Sequence, residues 1–390
     1  MKNANESVNE SKRPYDAPSA EQDRENKTQF FSTLEDALKA TAPAGSSVKS
    51  IGLDNTDAIL RLGYRLTECE QDVTIARGGE REFAAARAVS HGSKIVTVPT
   101  HAYAAAASTR YRTEDKAFAL MMSGAPPHAA VFDSAELDKN AASVFGELIA
   151  LDLCAYDLSF ASRMRGEPVD TQITERVMRL LVTTTENLRG REKDRRHVET
   201  VLTEAGKIAA GIVSDCPALL HCSGAAQTAE ALRMLYSAED RALGMRGETE
   251  AVLSCAVCDF YIKNITDNTF RFPPDNARRI DSVCEYFGAD IRRACIYADP
   301  IYPPLKMRLY EYRRNEFRAE ITKFLAGVKT RQAAAMQVFK RLYRDDGYGI
   351  RNLVDKTDLG ICIALAPDVF AGDSMLSFLK QTGKLEEYLV

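Results

Sequence analysis

Four things are scarce in this chain, and each scarcity removes a class of function. Charge of one sign is missing: 51 Lys and Arg stand against 55 Asp and Glu, a formal net of −4, so no overall field draws in nucleic acid or an anionic membrane. Long apolar runs are missing too. No stretch reaches the roughly 18 to 20 residues a spanning helix needs, and the first residues are polar, unlike a secretion signal. The five histidines, His91, His101, His128, His197 and His221, are not spaced as a pair of metal ligands. Close cysteine pairs are limited to Cys255 and Cys258, which lie in an apolar helix-like run with no second pair to complete a zinc site. The nine cysteines are scattered, mostly in apolar segments, and read as reduced buried thiols. A cytoplasmic location is the expectation.

What is present is an ordinary globular composition, 45% hydrophobic and 27% charged over 390 residues, enough for two domains with separate cores. Residues 1–28 lack apolar periodicity and read as a disordered tail. Thr33 to Thr41 reads as a short capped helix, and Thr56 to Thr67 as an amphipathic one carrying Ile59, Leu60, Leu62 and Leu66 on one side. Strands over 72–76 and 94–98 flank a helix over 80–90, which makes a βαβ unit, and 129–133 reads as a third strand. Beyond Asn140 the strand signals stop. Helical spacing fills 141–165, 171–189, 196–213, 225–238, 248–263, 276–288, 306–328 and 331–344. The expected architecture is an α/β N-terminal domain over 29–138, built on a truncated Rossmann-like parallel sheet, followed by an all-α C-terminal domain over 139–390. The sheet is read as truncated because 30–53 leaves about 24 residues where a βαβ unit takes roughly 30. The cleft between the halves is the default ligand site.

Four motifs occur in order: Arg77-Gly78-Gly79 after one apolar strand, Val96-Thr97-Val98-Pro99-Thr100 after the next, Arg246-Gly247-Glu248 opening an apolar helix, and the closing run from Asp373-Ser374-Met375 to Glu387-Tyr388-Leu389. Together, over residues 50 to 390, they resemble the sn-glycerol-1-phosphate dehydrogenase family of the iron-containing alcohol dehydrogenase and dehydroquinate synthase superfamily. The resemblance implies a dehydroquinate synthase-like fold, NAD(P) as cofactor, and reduction of dihydroxyacetone phosphate at a divalent metal. It places cofactor contacts at Gly78, Gly79, Pro99, Thr100 and Thr109.

The family's reactive groups are largely replaced. Its Gly-Gly/Ser-Gly-Thr-x-x-Asp turn falls on Arg77-Gly78-Gly79-Glu80-Arg81-Glu82-Phe83, where Glu80 brings negative charge to a phosphate-facing helix start. The Asp-Gly pair that follows its Pro-Thr becomes Ala105-Ala106, and the catalytic residues stay open, with His101, Tyr103 and Arg246 as cleft candidates and His101 also readable as a hydrogen-bonded loop histidine. Its metal ligands, one Asp and two His, fall on Glu147, Gln227 and Arg246. A guanidinium has no lone pair to donate and is effectively always charged. No bound metal is therefore expected, and an internal Arg246–Glu147 ion pair is expected to fill the position.

Three readings follow. By scaffold the chain is an NAD(P)-dependent polyol-phosphate dehydrogenase. By site it is a catalytically silent relative that binds a small phosphorylated polyol, a related metabolite or a protein partner, a further copy of itself included. The third reading, nucleic-acid binding, rests on 305–344, where eleven basic residues meet three acidic ones among interleaved aromatics. Helical spacing of those aromatics favours a core-facing stripe with a solvated basic face.

Overall fold

The computed structural model describes residues 28–53, 56–90, 92–99, 110–115, 118–123, 127–132, 141–220, 223–239, 241, 246–265, 276–288, 304–343, 354–370 and 372–388. The N-terminal part runs β1 (Gln29–Phe31), α1 (Leu34–Thr41), β2 (Ser47–Ile51), α2 (Asp57–Arg61), β3 (Arg65–Leu66), β4 (Val73–Gly78), α3 (Glu80–Ser90), β5 (Lys94–Pro99), the hairpin β6 (Arg110–Asp115) and β7 (Phe118–Ser123), and β8 (Ala129–Val131). Strands β1-β8-β5-β4-β2-β3 form one parallel sheet in that order.

Alternation explains how the sheet takes two layers. Val73 and Ile75 on β4 face one way, packing with Val96 and Val98 on β5 and with Ala37 and Leu38 of α1. Ala76 faces the other way, joining Phe83 and Ala86 of α3, Ala130 and Phe132. That second layer continues without a break into Phe145, Leu148 and Ala251 of the helical part.

Helices fill the rest: α4 (Ala141–Arg165), α5 (Thr171–Leu188), α6 (Arg195–Asp215), α7 (Gly224–Ala238), α8 (Arg246–Ile265), α9 (Asn276–Phe287), α10 (Pro304–Glu316), α11 (Arg318–Leu342), α12 (Lys356–Val369) and α13 (Met375–Gln381), closed by a 3₁₀ turn at Lys384–Tyr388. Helix α4 is buried on all sides from Ala142 to Ser162, which makes it the axle of the bundle. The C-terminal turn is locked by buried charge: Arg279 donates to Asp368 at 2.5 and 2.9 Å and to Glu386 at 2.5 Å, and Lys380 lies 3.0 Å from the other Asp368 oxygen. Among the described residues, no helix is long and apolar enough to cross a membrane.

The α/β-then-α order is as expected, with four corrections. The sheet holds six strands, not three, because β1–α1–β2 complete a strand–helix–strand passage within 29–51, using a three-residue strand and a two-turn helix. The helix expected over 56–67 stops at Arg61: Gly63 takes φ +81°, the Tyr64 amide returns to Ile59 O at 3.3 Å, and the chain leaves as β3 beside β2. The break expected between 328 and 331 falls at Phe317, between α10 and α11. Helix α12 was not foreseen. Of the expected tail, only Thr28 is described, and it is buried, donating to Pro127 O at 2.8 Å.

Candidate functional site

Parallel strands end together, so their C-terminal edge collects the loops that could hold a ligand. There Gly78 of β4 pairs with Pro99 of β5, which brings two of the expected cofactor residues side by side with Gly79 next in line. Thr100, His101, Tyr103 and Thr109 lie outside the described residues. So do the side chains of Glu80 and Arg81 and, with them, the repulsion expected from Glu80.

The turn from β4 into α3 holds a group the sequence reading passed over. Glu82 Oε2 accepts the Gly79 amide at 2.8 Å. Gly78 has φ +145°, and a β-carbon there would stand 2.5 Å from Glu82 Oε2; one on Gly52, at the end of β2, would stand 3.4 Å from Glu82 Cγ. Gly78 thus leaves the space that the Glu82 side chain occupies, whereas the glycine at 52 answers to Arg77 O, which a β-carbon there would overlap. The available signal was Gly79-x-x-Glu82, half of a capping box, in which the carboxylate at N3 reaches back to the N-cap amide. A dinucleotide needs such amides and such glycine-made room for its pyrophosphate. The turn as found does not fit one, because a carboxylate already holds the amide.

The three residues at the positions the resemblance gives to metal ligands have different partners. Helices α4 and α8 cross so closely that a β-carbon on Gly146 would overlap Gly247 O, and one on Gly247 would overlap Ser143 O. The Gly247 amide donates to Ser143 Oγ at 3.1 Å. Glu147, which is buried, and Arg246 each follow or precede one of these glycines and so flank the crossing. Arg246 Nε donates to Glu250 Oε1 at 2.7 Å, a partner one turn along α8 that the sequence reading did not name.

Gln227 on α7 belongs to a different network. Its Nε2 donates to Phe370 O at 2.8 Å and to Ser377 Oγ at 3.3 Å, while Ser374 Oγ donates to its Oε1 at 2.5 Å. Both ends of the amide are committed to the segment that enters α13. With one candidate ligand bound to the C-terminal segment and another a guanidinium, the donor set does not fit a divalent metal.

Beside Gln227 lies a buried carboxylate that ties helix starts together. Asp157 on α4 accepts the Gly224 amide at 2.8 Å, the Met375 amide at 2.9 Å and the Tyr261 hydroxyl at 3.3 Å. Two helix N-termini, those of α7 and α13, therefore share one buried carboxyl group as acceptor. Burial pushes its carboxyl up to about 7, with the three donors acting in the opposite direction. Gly224 is required here, since a β-carbon would overlap the Tyr261 hydroxyl.

The remaining candidates settle into structural roles. Burial raises the Cys255 thiol to about 11 and the Cys258 thiol to about 12, so neither offers a thiolate at neutral pH. In the basic stretch, Arg331 grips Asp152 through bonds of 2.9 to 3.1 Å, Arg341 pairs with Glu192 at 3.0 Å and Lys329 pairs with Asp259. Tyr310, Phe339 and Phe324 pack inward. These basic side chains staple α11 to its neighbours.

No established family pattern matches the chain, and no curated protein matches it in sequence. Solved structures do. An archaeal halo-thermophilic alcohol dehydrogenase from a Red Sea brine pool aligns with 93% of this chain and 96% of its own, at 12% identity and a TM-score of 0.52. A protein of Ralstonia eutropha JMP134, assigned as an alcohol dehydrogenase, aligns with 93% of this chain and 95% of its own, at 11% identity and a TM-score of 0.51. An iron-containing alcohol dehydrogenase from Corynebacterium glutamicum aligns with 90% and 97%, at 12% identity and a TM-score of 0.45. The fold is that of the first two of these alcohol dehydrogenases, with an α/β part followed by a helical part.

Proposed function

We propose that this chain is a catalytically silent relative of the sn-glycerol-1-phosphate dehydrogenases, which keeps their scaffold and serves as a ligand-binding or partner-binding protein. The observation that carries the reading is Gln227: where the resemblance puts an imidazole ligand, an amide is hydrogen-bonded at both ends to Phe370, Ser374 and Ser377. Arg246 adds a fixed positive charge where a metal would sit, with Glu250 as its carboxylate partner at 2.7 Å and Glu147 beside the same helix crossing. The ligand class that suits the scaffold is a small phosphorylated polyol or a related metabolite.

The test is turnover. Full-length protein is mixed with dihydroxyacetone phosphate and NADH or NADPH, with zinc added or with chelator, and nicotinamide absorbance is followed. No oxidation above the protein-free rate is expected under either condition. Zinc-dependent oxidation that saturates with dihydroxyacetone phosphate contradicts the proposal.

A further inference from the structure

The β4–α3 turn has the parts of an anion site and an anion in it, and that anion is part of the chain. The Gly79 amide at the start of α3 is taken by Glu82 Oε2 at 2.8 Å, and the side chain lies in the room left by Gly78. Capping alone does not ask for a glycine against the carboxylate: an N3 glutamate reaches its N-cap amide in many helices without one. Here Gly78 has φ +145° and a β-carbon on it would stand 2.5 Å from Glu82 Oε2, whereas the glycine at 52 answers to its own φ of +72° and to Arg77 O.

We propose that Glu82 is an internal occupant of this cradle: its carboxylate holds the place of a diphosphate and thereby keeps nicotinamide dinucleotides out. The inference rests on the reading of the chain as a silent relative and extends it, since it names one side chain whose removal reopens a binding function. Two effects act together. The carboxylate fills the volume a phosphate needs, and its charge opposes a second anion at a helix start, an effect of about 0.3 to 1 kcal/mol on its own. That charge effect alone corresponds to roughly a two- to fivefold change in affinity.

Calorimetric titration with pyrophosphate and with NADH compares wild type, Glu82→Ala and Glu82→Ser. Wild type is expected to show no binding below millimolar concentration. Both variants are expected to bind each probe at least about tenfold more tightly, with pyrophosphate competing against NADH. Variants that bind no better than wild type, or a wild type that already binds as tightly, overturn the inference. Should either variant not fold, Glu82→Gln, equal in size and uncharged, takes its place: a twofold or larger gain supports the inference, and no gain overturns it. Turnover by the wild type would defeat the proposed function, whereas these binding results bear on the cradle alone.

Discussion

Replacing Gln227 by Leu tests whether this side chain is a structural tie or a displaced ligand. The substitution leaves the volume nearly unchanged and deletes three hydrogen bonds, from Nε2 to Phe370 O and Ser377 Oγ and from Ser374 Oγ to Oε1. Ser377 Oγ keeps Gly372 O as an acceptor and Ser374 Oγ keeps the Ser377 amide as a donor, so the Phe370 carbonyl and the Ser374 hydroxyl proton bear most of the loss. A buried polar group left without its bond costs about 1 to 3 kcal/mol, so the two together cost about 2 to 6 kcal/mol; the added apolar contact of Leu returns about 1 kcal/mol, and a net destabilisation of about 1 to 5 kcal/mol is expected. Urea unfolding followed by circular dichroism measures it. Hydrogen exchange should show the segment 372–388 opening first. The cost should be the same with zinc and with chelator. A loss under about 0.5 kcal/mol, or one that appears only when zinc is present, refutes the assignment.

Two further outcomes follow from buried groups. Asp157 has its carboxyl raised from 3.8 to about 7 by burial, so the folded chain holds a proton that the unfolded chain has released; this contribution to stability falls as pH climbs from about 4 to 7 and is flat above. Urea midpoints between pH 5 and 8 should carry that downward slope in wild type and lose it in Asp157→Asn, and equal slopes in the two proteins would count against it. Gly247→Ala should destabilise by about 1 to 3 kcal/mol, because the new methyl meets the Ser143 carbonyl at the α4–α8 crossing. In an uncrowded helix the same change stabilises by roughly 1 kcal/mol, so the sign of the measured effect decides.

Long elements were legible and long-range pairings were not. Helix α3 and helix α4 fall on the residues expected for them, because each carries many apolar positions bounded by clear breakers. Strands β1, β2 and β3 escaped notice because they are short and mixed with polar residues, Gln29, Ser47, Lys49, Ser50 and Arg65, so no apolar run marks them. The break at Phe317 left no mark, since neither Gly nor Pro stands there and the apolar spacing runs on through it. At the site, Gly78 and Pro99 stand side by side at the ends of β4 and β5, the two strands expected over 72–76 and 94–98. The partners of Gln227 lie 143 to 150 residues away, and Asp157 meets Met375 across 218, separations at which a single sequence carries no pairing signal. Glu82 stands at a capping-box position in the sequence, but its place against Gly78 depends on that glycine's φ of +145°, which no sequence pattern displays.

The most direct test of the central claim, that the metal position of this scaffold has been given over to the protein's own side chains, is the metal content of the purified full-length chain by mass spectrometry, followed by titration with zinc. The account predicts no stoichiometric zinc, nickel or iron and no saturable zinc binding. One transition metal per chain, retained through chelator and lost on substituting Gln227 or Arg246, would contradict it.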